Sequence, residues 1–238
     1  LFPLDIRGVD ADEQGLKPES LREAAKGTSV GAVLCSPTLH NPTNAIMSLE
    51  RRLEILSIAR ELRVHVIEDD SYGHLSGDET PTMASLDPER TIYLCGTSKS
   101  IAPGLRIGFV LAPTSIIARL SEGFHATAWT SPSLMGEVAT VLIEDHIAER
   151  FVKWHQEEAG ARLAMAREIL QRPDLPPLGP TYHVWLPLPS PWRASEFTAE
   201  VRLNGAIISP SEVFVVDRGS APHAVRISLG GGSDRARL

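Results

Sequence analysis

The stretch Thr91-Ile92-Tyr93-Leu94-Cys95-Gly96-Thr97-Ser98-Lys99-Ser100-Ile101-Ala102-Pro103-Gly104-Leu105-Arg106-Ile107-Gly108 decides the fold. It opens with a β-rich run, Thr91–Cys95, and passes through small residues to Lys99 and then Arg106. Lysine is scarce in this chain: Lys17, Lys26, Lys99 and Lys153 are the four. Three of them stand in polar or helical surroundings and read as solvated ammonium groups. Lys99, just past the end of a strand, stands where an amine can be partly desolvated and used for Schiff-base chemistry. The plain alternative is a surface lysine whose stem lies along the fold.

Outward from this stretch, three other runs share its texture: Gly31–Cys35 (GAVLC), Val64–Glu68 (VHVIE) and Arg106–Ala112 (RIGFVLA). Such short, nearly continuous apolar runs predict strands of a parallel sheet covered on both faces. Between the first two, Leu49, Leu53, Leu56, Ala59 and Leu62 recur at helical spacing, and Ser48 is placed to cap a helix over Ser48–Arg63. Strand, helix, strand in this order is the crossover unit of an α/β fold. Beyond Pro113, helices are expected over Ser115–Glu122 and over about Ser133–Arg172, with a break near Gly160 at most and a stop at the Pro-rich segment Pro173–Pro180. Strand Tyr182–Leu188, helix Ala194–Asn204 and strands Ala206–Ile208 and Ala224–Leu229 would then build a smaller α+β layer. The expected division is residues 1–113 for part of a large sheet domain, 114–150 for connecting helices and 151–238 for the small domain.

Composition narrows the function. A chain of 238 residues with 42% apolar content has material for a sizeable core. Its net charge of -7 argues against a DNA-binding face, which needs clustered Lys and Arg. No apolar run reaches the roughly 18–20 residues that span a bilayer, and the opening residues lack a signal-peptide pattern. Cys35 and Cys95 read as reduced thiols of a cytoplasmic protein, and no Cys or His pair has metal-ligand spacing.

Three polar groups follow three of these strands. Asn41 lies in His40-Asn41-Pro42-Thr43-Asn44 after GAVLC; Asp69 and Tyr72 lie in Glu68-Asp69-Asp70-Ser71-Tyr72 after VHVIE; Lys99 and Arg106 follow TIYLC. The carboxyl ends of parallel strands are where α/β sheets bind ligands. Each group alone is ordinary turn chemistry; their convergence on one edge points to a site.

The order Asn-Pro-Thr, Asp-x-x-Tyr, Ser-Lys with Pro-Gly-x-Arg-x-Gly, and Val-Arg-Ile-Ser near the end resembles class I/II aminotransferases, pyridoxal-phosphate (PLP) proteins of fold type I. The resemblance covers essentially the whole chain. It implies that Lys99 holds PLP in Schiff-base linkage and moves the substrate proton. It further implies that Asp69 pairs with the pyridine nitrogen and that Asn41 and Tyr72 hydrogen-bond the phenolic oxygen. Ser98 and Arg106 would hold the phosphate, and Arg226, in Ala224-Val225-Arg226-Ile227-Ser228, would clamp a substrate carboxylate, with Asn41 a second substrate-binding residue. Asp70 is the alternative to Asp69, though the spacing to Tyr72 favours Asp69, and Arg226 has a salt-bridge alternative. Two positions depart from the pattern: Gly96 stands where many relatives have Ser, and Asn44 where many have Gly. His183, Trp185 and His125 are further candidates for a pocket wall.

Finer wording, Ser36–Asn44, Tyr93–Pro103, His183–Pro189 and Pro191-Trp192-Arg193, is similar to the C-terminal domain of MocR-type regulators of the GntR family. That implies a homodimer that senses PLP or an amino compound and meets DNA through an N-terminal domain absent from this chain. The sheet's own N-terminal part, with a phosphate-binding loop and a ring-stacking aromatic, is likewise expected to precede Leu1. A free-standing aminotransferase is the second reading, and a PLP-dependent lyase or decarboxylase a third.

Overall fold

The computed structural model describes residues 4–175, 179–216 and 221–230. The chain opens with an antiparallel pair that the sequence reading left unassigned, β1 (Ala11–Asp12) and β2 (Gly15–Leu16), followed by α1 (Pro18–Ala25). Then come β3 (Ala32–Cys35), α2 (Leu49–Leu62), β4 (His65–Asp69), the one-turn helices α3 (Gly73–Ser76) and α4 (Met83–Leu86), and β5 (Thr91–Gly96). The short helix α5 (Thr97–Ser100) and a 3-10 turn at Pro103–Leu105 lead into β6 (Gly108–Leu111). Ser48 caps α2 as expected, its side chain accepting from the Arg51 backbone N–H, and Arg63 closes the helix in a left-handed conformation.

The large sheet has the order β3-β4-β5-β6. The pairs β3/β4 and β4/β5 are parallel, whereas β5/β6 is antiparallel, so the fourth run is not a parallel strand. The reason lies in the connection. Only the short turn from Thr97 to Ile107 joins the two strands, too little for the crossover that parallel neighbours need. The reversal returns Arg106 to the sheet edge at which β5 ends.

One face of this sheet is closed. Val33, Val66 and Thr91 stand level across three strands and are buried. Val33 and Val66 pack with Leu21 of α1, Ile55 and Leu56 of α2 and Met83 of α4, and the Thr91 hydroxyl donates to the Met83 carbonyl at 3.3 Å. The same face buries Arg52, whose guanidinium donates to the carbonyls of Met47, Thr80 and Pro81 and to the Thr38 hydroxyl. It also buries Glu68, which accepts from the backbone N–H groups of Met83 and Ala84, both at 2.9 Å. Cys35 is a free thiol in this layer, pushed up to about 12 by burial.

The expectation of cover on both faces does not hold within the described residues. Helices α1, α2 and α4 lie on one side, and on the other Leu34 is 66% exposed while β6 is exposed along its length.

Beyond β6 run α6 (Thr114–Ala128), α7 (Ser133–Glu144) and α8 (Ile147–Ile169). The break in the second helical stretch falls at Asp145–His146, not at Gly160, which lies inside α8. His146 takes φ 57, a left-handed conformation that His tolerates better than most side chains. A second sheet, order β7-β9-β8, is antiparallel and made of β7 (His183–Pro187), β8 (Ser209–Pro210) and β9 (Ala224–Ser228), with α9 (Ala194–Leu203) between the first two in sequence. The strand expected at Ala206–Ile208 forms instead at Ser209–Pro210, because the register against β9, not the apolar run, selects the paired residues. Leu163 and Ala166 of α8 pack with Val184 and Leu229 under this sheet.

Candidate functional site

At the carboxyl edge of β3, β4 and β5 lies a cavity of about 550 Å³, within the range of small-molecule sites. Asn41, Asp69, Tyr72, Ser98, Lys99 and Arg106 all line it. Each owes its place to a strand end. Asp69 is the last residue of β4, Lys99 lies one turn past β5, and Arg106 precedes β6 in a left-handed conformation at φ 55. The structure thus brings six residues singled out in the sequence around one space.

The two adjacent acids behave differently. Asp69 Oδ1 accepts from the Ser71 backbone N–H at 3.0 Å and from its hydroxyl at 2.5 Å. Asp69 Oδ2 has no hydrogen-bond partner among the described residues. Asp70 accepts from the Tyr93 hydroxyl at 2.6 Å and is not in the cavity wall. Burial raises its carboxyl above the usual range. A Cβ at Gly73 would run into that carboxylate, so the turn that carries Tyr72 is packed on Asp70. Burial likewise raises the Tyr72 phenol, and the Lys99 Nζ lies 6.0 Å from the Tyr72 ring centre.

Arg226, on β9, reaches the site from the second sheet: it donates to Asn41 Oδ1 at 3.0 Å and lies over the Phe214 ring at 4.8 Å. Its Nε is buried and has no partner among the described residues. A buried N–H in that state costs free energy until an acceptor arrives.

The three other candidates do not line the cavity. His183 is buried behind Tyr72, ring edge to ring face at 5.8 Å, and burial lowers it to about 4. Trp185 packs edge-on against Phe214. His125 lies on α6 and its ring bonds the Trp129 carbonyl.

The two departures have structural accounts. Gly96 faces the β6 backbone closely: a Cβ there would stand 3.2 Å from the Ile107 carbonyl oxygen. Asn44 adopts φ 61, a left-handed conformation that Asn, after Gly, tolerates best. Its side chain donates to the His183 carbonyl at 3.1 Å and accepts from the Thr181 hydroxyl at 2.6 Å, tying the turn of Asn41 to the second sheet.

Sequence reading missed Ser36, Ser71 and Ile107 in the cavity wall. Ser71 carried a legible signal, since a serine two residues after an aspartate readily closes an Asx turn. The other two follow only from the three-dimensional closure of the edge. Among the described residues no cluster of His, Cys, Asp and Glu could hold a metal, and no helix is long and apolar enough to cross a membrane.

The family described as aminotransferase class I and II matches residues 6–237. An uncharacterized HTH-type transcriptional regulator of Bacillus subtilis, YdeF, is 28% identical over 96% of this chain and 50% of its own length. The vitamin B6 salvage pathway transcriptional repressor PtsJ of Salmonella typhimurium is 29% identical over 93% of this chain and 51% of its own. Among solved structures, a kynurenine aminotransferase of Pyrococcus horikoshii, in complex with PMP, superimposes with a TM-score of 0.87 at 25% identity, covering 96% of this chain and 59% of that one. The chain spans about half the length of the curated relatives it matches.

Proposed function

The chain belongs to the aminotransferase class I and II family, and on that premise we propose that it is the PLP-binding, effector-sensing part of a MocR-type regulator of the GntR family. The observation that carries the cofactor reading is the convergence of Lys99, Asp69, Tyr72, Asn41, Ser98 and Arg106 on one cavity. The donor set fits PLP: one amine, one carboxylate with an oxygen to spare, hydroxyls, and an arginine fork for an anion. PLP, when bound, supplies an electron sink for bond breaking at the α-carbon of an amino compound.

The chain's residues do the rest. Lys99 holds the cofactor through its amine and carries a proton to or from the α-carbon. Asp69 keeps a proton on the ring nitrogen through its free Oδ2. Asn41 and Tyr72 hydrogen-bond the phenolic oxygen, while Ser98 and Arg106 bind the phosphate. Arg226 takes the carboxylate of the amino compound, with the unpartnered Nε as a donor in waiting. DNA is met by a domain outside this chain. The division into residues 1–113, 114–150 and 151–238 belongs to the same proposal, as does a cytoplasmic homodimer. Pairing through α6 and α7 would cover Leu120, Phe124, Trp129, Leu134 and Val141, all exposed here.

The regulator reading draws on YdeF and PtsJ, HTH-type or repressor proteins that align over nearly all of this chain. A free-standing aminotransferase is the second reading, favoured by the likeness to the kynurenine aminotransferase structure. One experiment on the full-length protein separates them. Reductive trapping with borohydride should label Lys99, and Lys99→Ala should abolish the label. Slow or absent turnover with amino acids and 2-oxo acids, together with PLP-dependent binding to a specific DNA site, is the expected result. Rapid transamination without a specific DNA site would make the protein an enzyme.

A further inference from the structure

Lys99 is held from behind as well as lining the cavity. Its backbone carbonyl accepts from His74 Nε2 at 2.7 Å and lies 3.4 Å from the Tyr182 hydroxyl. Two residues on, the Ile101 carbonyl accepts from His155 Nε2 at 3.1 Å. A carbonyl has no proton to give, so both imidazoles carry theirs on Nε2. In the neutral Nε2–H tautomer, Nδ1 of His155 accepts from the Tyr182 hydroxyl, with which it is hydrogen-bonded. Tyr182 has one proton for two acceptors, and the closer acceptor is His155. The next residue along α8 grips the neighbouring turn: Gln156 Nε2 donates to the His74 carbonyl at 2.7 Å. Burial lowers the His74 imidazole below its ordinary value, which favours its single-proton form.

These contacts span the two sheets. Tyr182 immediately precedes β7. β7 is the neighbour of β9, on which Arg226 stands, with Trp185 opposite Arg226 in register. His155 and Gln156 sit on α8, whose later turns, at Leu163 and Ala166, pack under the same small sheet. Eight residues of helix, about 12 Å, join the grip on the lysine turn to that packing.

We propose that Tyr182, His155 and Gln156 form a latch that transmits the position of the small sheet to the turns carrying Lys99 and Tyr72, making them positioning residues for the cofactor lysine. It rests on the reading that Lys99 holds PLP. An amino compound whose carboxylate pulls on Arg226 displaces β9 and β7; Tyr182 moves with β7, and His155 passes the movement to the Lys99 turn. The same contacts, read in reverse, let the cofactor's attachment bias the small sheet, which is the reciprocity required of any coupling between two sites. In a sensor, this is the step by which occupancy of the cavity becomes a change of shape.

The test uses the full-length protein loaded with PLP and compares wild type, Tyr182→Phe, His155→Ala and the double variant. Two readouts are taken: borohydride trapping at Lys99, and the midpoint of the pH titration of the bound cofactor's visible absorbance. Trapping is expected to persist in all four. The midpoint is expected to shift by about half a pH unit or more in each single variant, the size of a modest hydrogen-bond effect. The double variant should shift no further than the larger single, because both changes cut one connection. Should His155→Ala fail to accumulate, His155→Gln paired with Tyr182→Phe carries the same comparison. Unshifted midpoints with trapping intact overturn the latch, as do two shifts that simply add. Absence of trapping in the wild type overturns the cofactor reading itself, and the latch falls with it.

Discussion

Glu68 and Asp69 are neighbours in sequence and point to opposite faces of the large sheet. Glu68 shares a row with Cys35 and Tyr93, on the face closed by α1, α2 and α4, and its two oxygens are taken by the N–H groups that open α4. Asp69 shares a row with Leu94, on the face that the described residues leave open, and one of its oxygens has no partner among those residues. The difference teaches that an acid's role here is set by which face it occupies. On the closed face a carboxylate is a structural acceptor; at the rim of the open face it is available to a ligand.

Three measurements bear on that contrast. The largest effect is expected in packing. Ile55→Ala, beneath the closed face, should lower the unfolding free energy of the chain by about 4 kcal/mol in urea titration. Leu34→Ala, on the open face, should cost about half a kcal/mol, and equal costs would erase the distinction between the faces. Next comes the chemistry. In the full-length protein Asp69→Asn should slow the spectral conversion with an amino acid at least about tenfold, roughly 1.4 kcal/mol of barrier, while moving the thermal midpoint little. If Asp70→Asn carries the kinetic effect instead, the wrong carboxylate has been assigned to the open side.

The smallest effect is a slope. Burial raises the Glu68 carboxyl above its ordinary value of 4.5, so the folded chain binds that proton more tightly than the unfolded chain. Its contribution to stability is therefore full below the unfolded value and is lost as pH rises through the folded value. Glu68→Gln should flatten this part of the stability profile whatever constant cost it adds, and an unchanged slope between wild type and variant would remove Glu68 from the account.

Much of the site was legible because several of its residues follow the carboxyl end of an apolar run. Asp69 ends one strand, Lys99 follows another by a single turn, and Asn41 lies shortly after a third; the rule that ligands gather at carboxyl ends needs nothing more. The direction of β6 was hidden because an apolar run carries no arrow, and only the short stretch from Thr97 to Ile107 rules out a parallel crossover. The break at His146 was missed because Gly160 is the stronger helix-breaker on propensity, yet the helix runs through it. His155 and Tyr182 carried no signal at all. Their distances from Lys99 along the chain are 56 and 83 residues, and only the packing of α8 and β7 brings them together.

The hydrogen bonds made by the Asn44 side chain join residues 137 and 139 positions apart. At equilibrium so long a closure costs little more than one half its length, because the entropy of closing a loop grows only with the logarithm of its size, about 0.6 kcal/mol per doubling. In time the cost is larger, since contacts between distant segments wait upon the folding of everything between them. The parallel strands β3, β4 and β5 pair with near neighbours in sequence, so they are expected to assemble before β7 docks onto the turn of Asn44. In pulse-labelled refolding, backbone amides of β7 should therefore acquire protection from solvent exchange later than those of β3 to β5, with the Asn44 side chain marking the arrival of the second sheet.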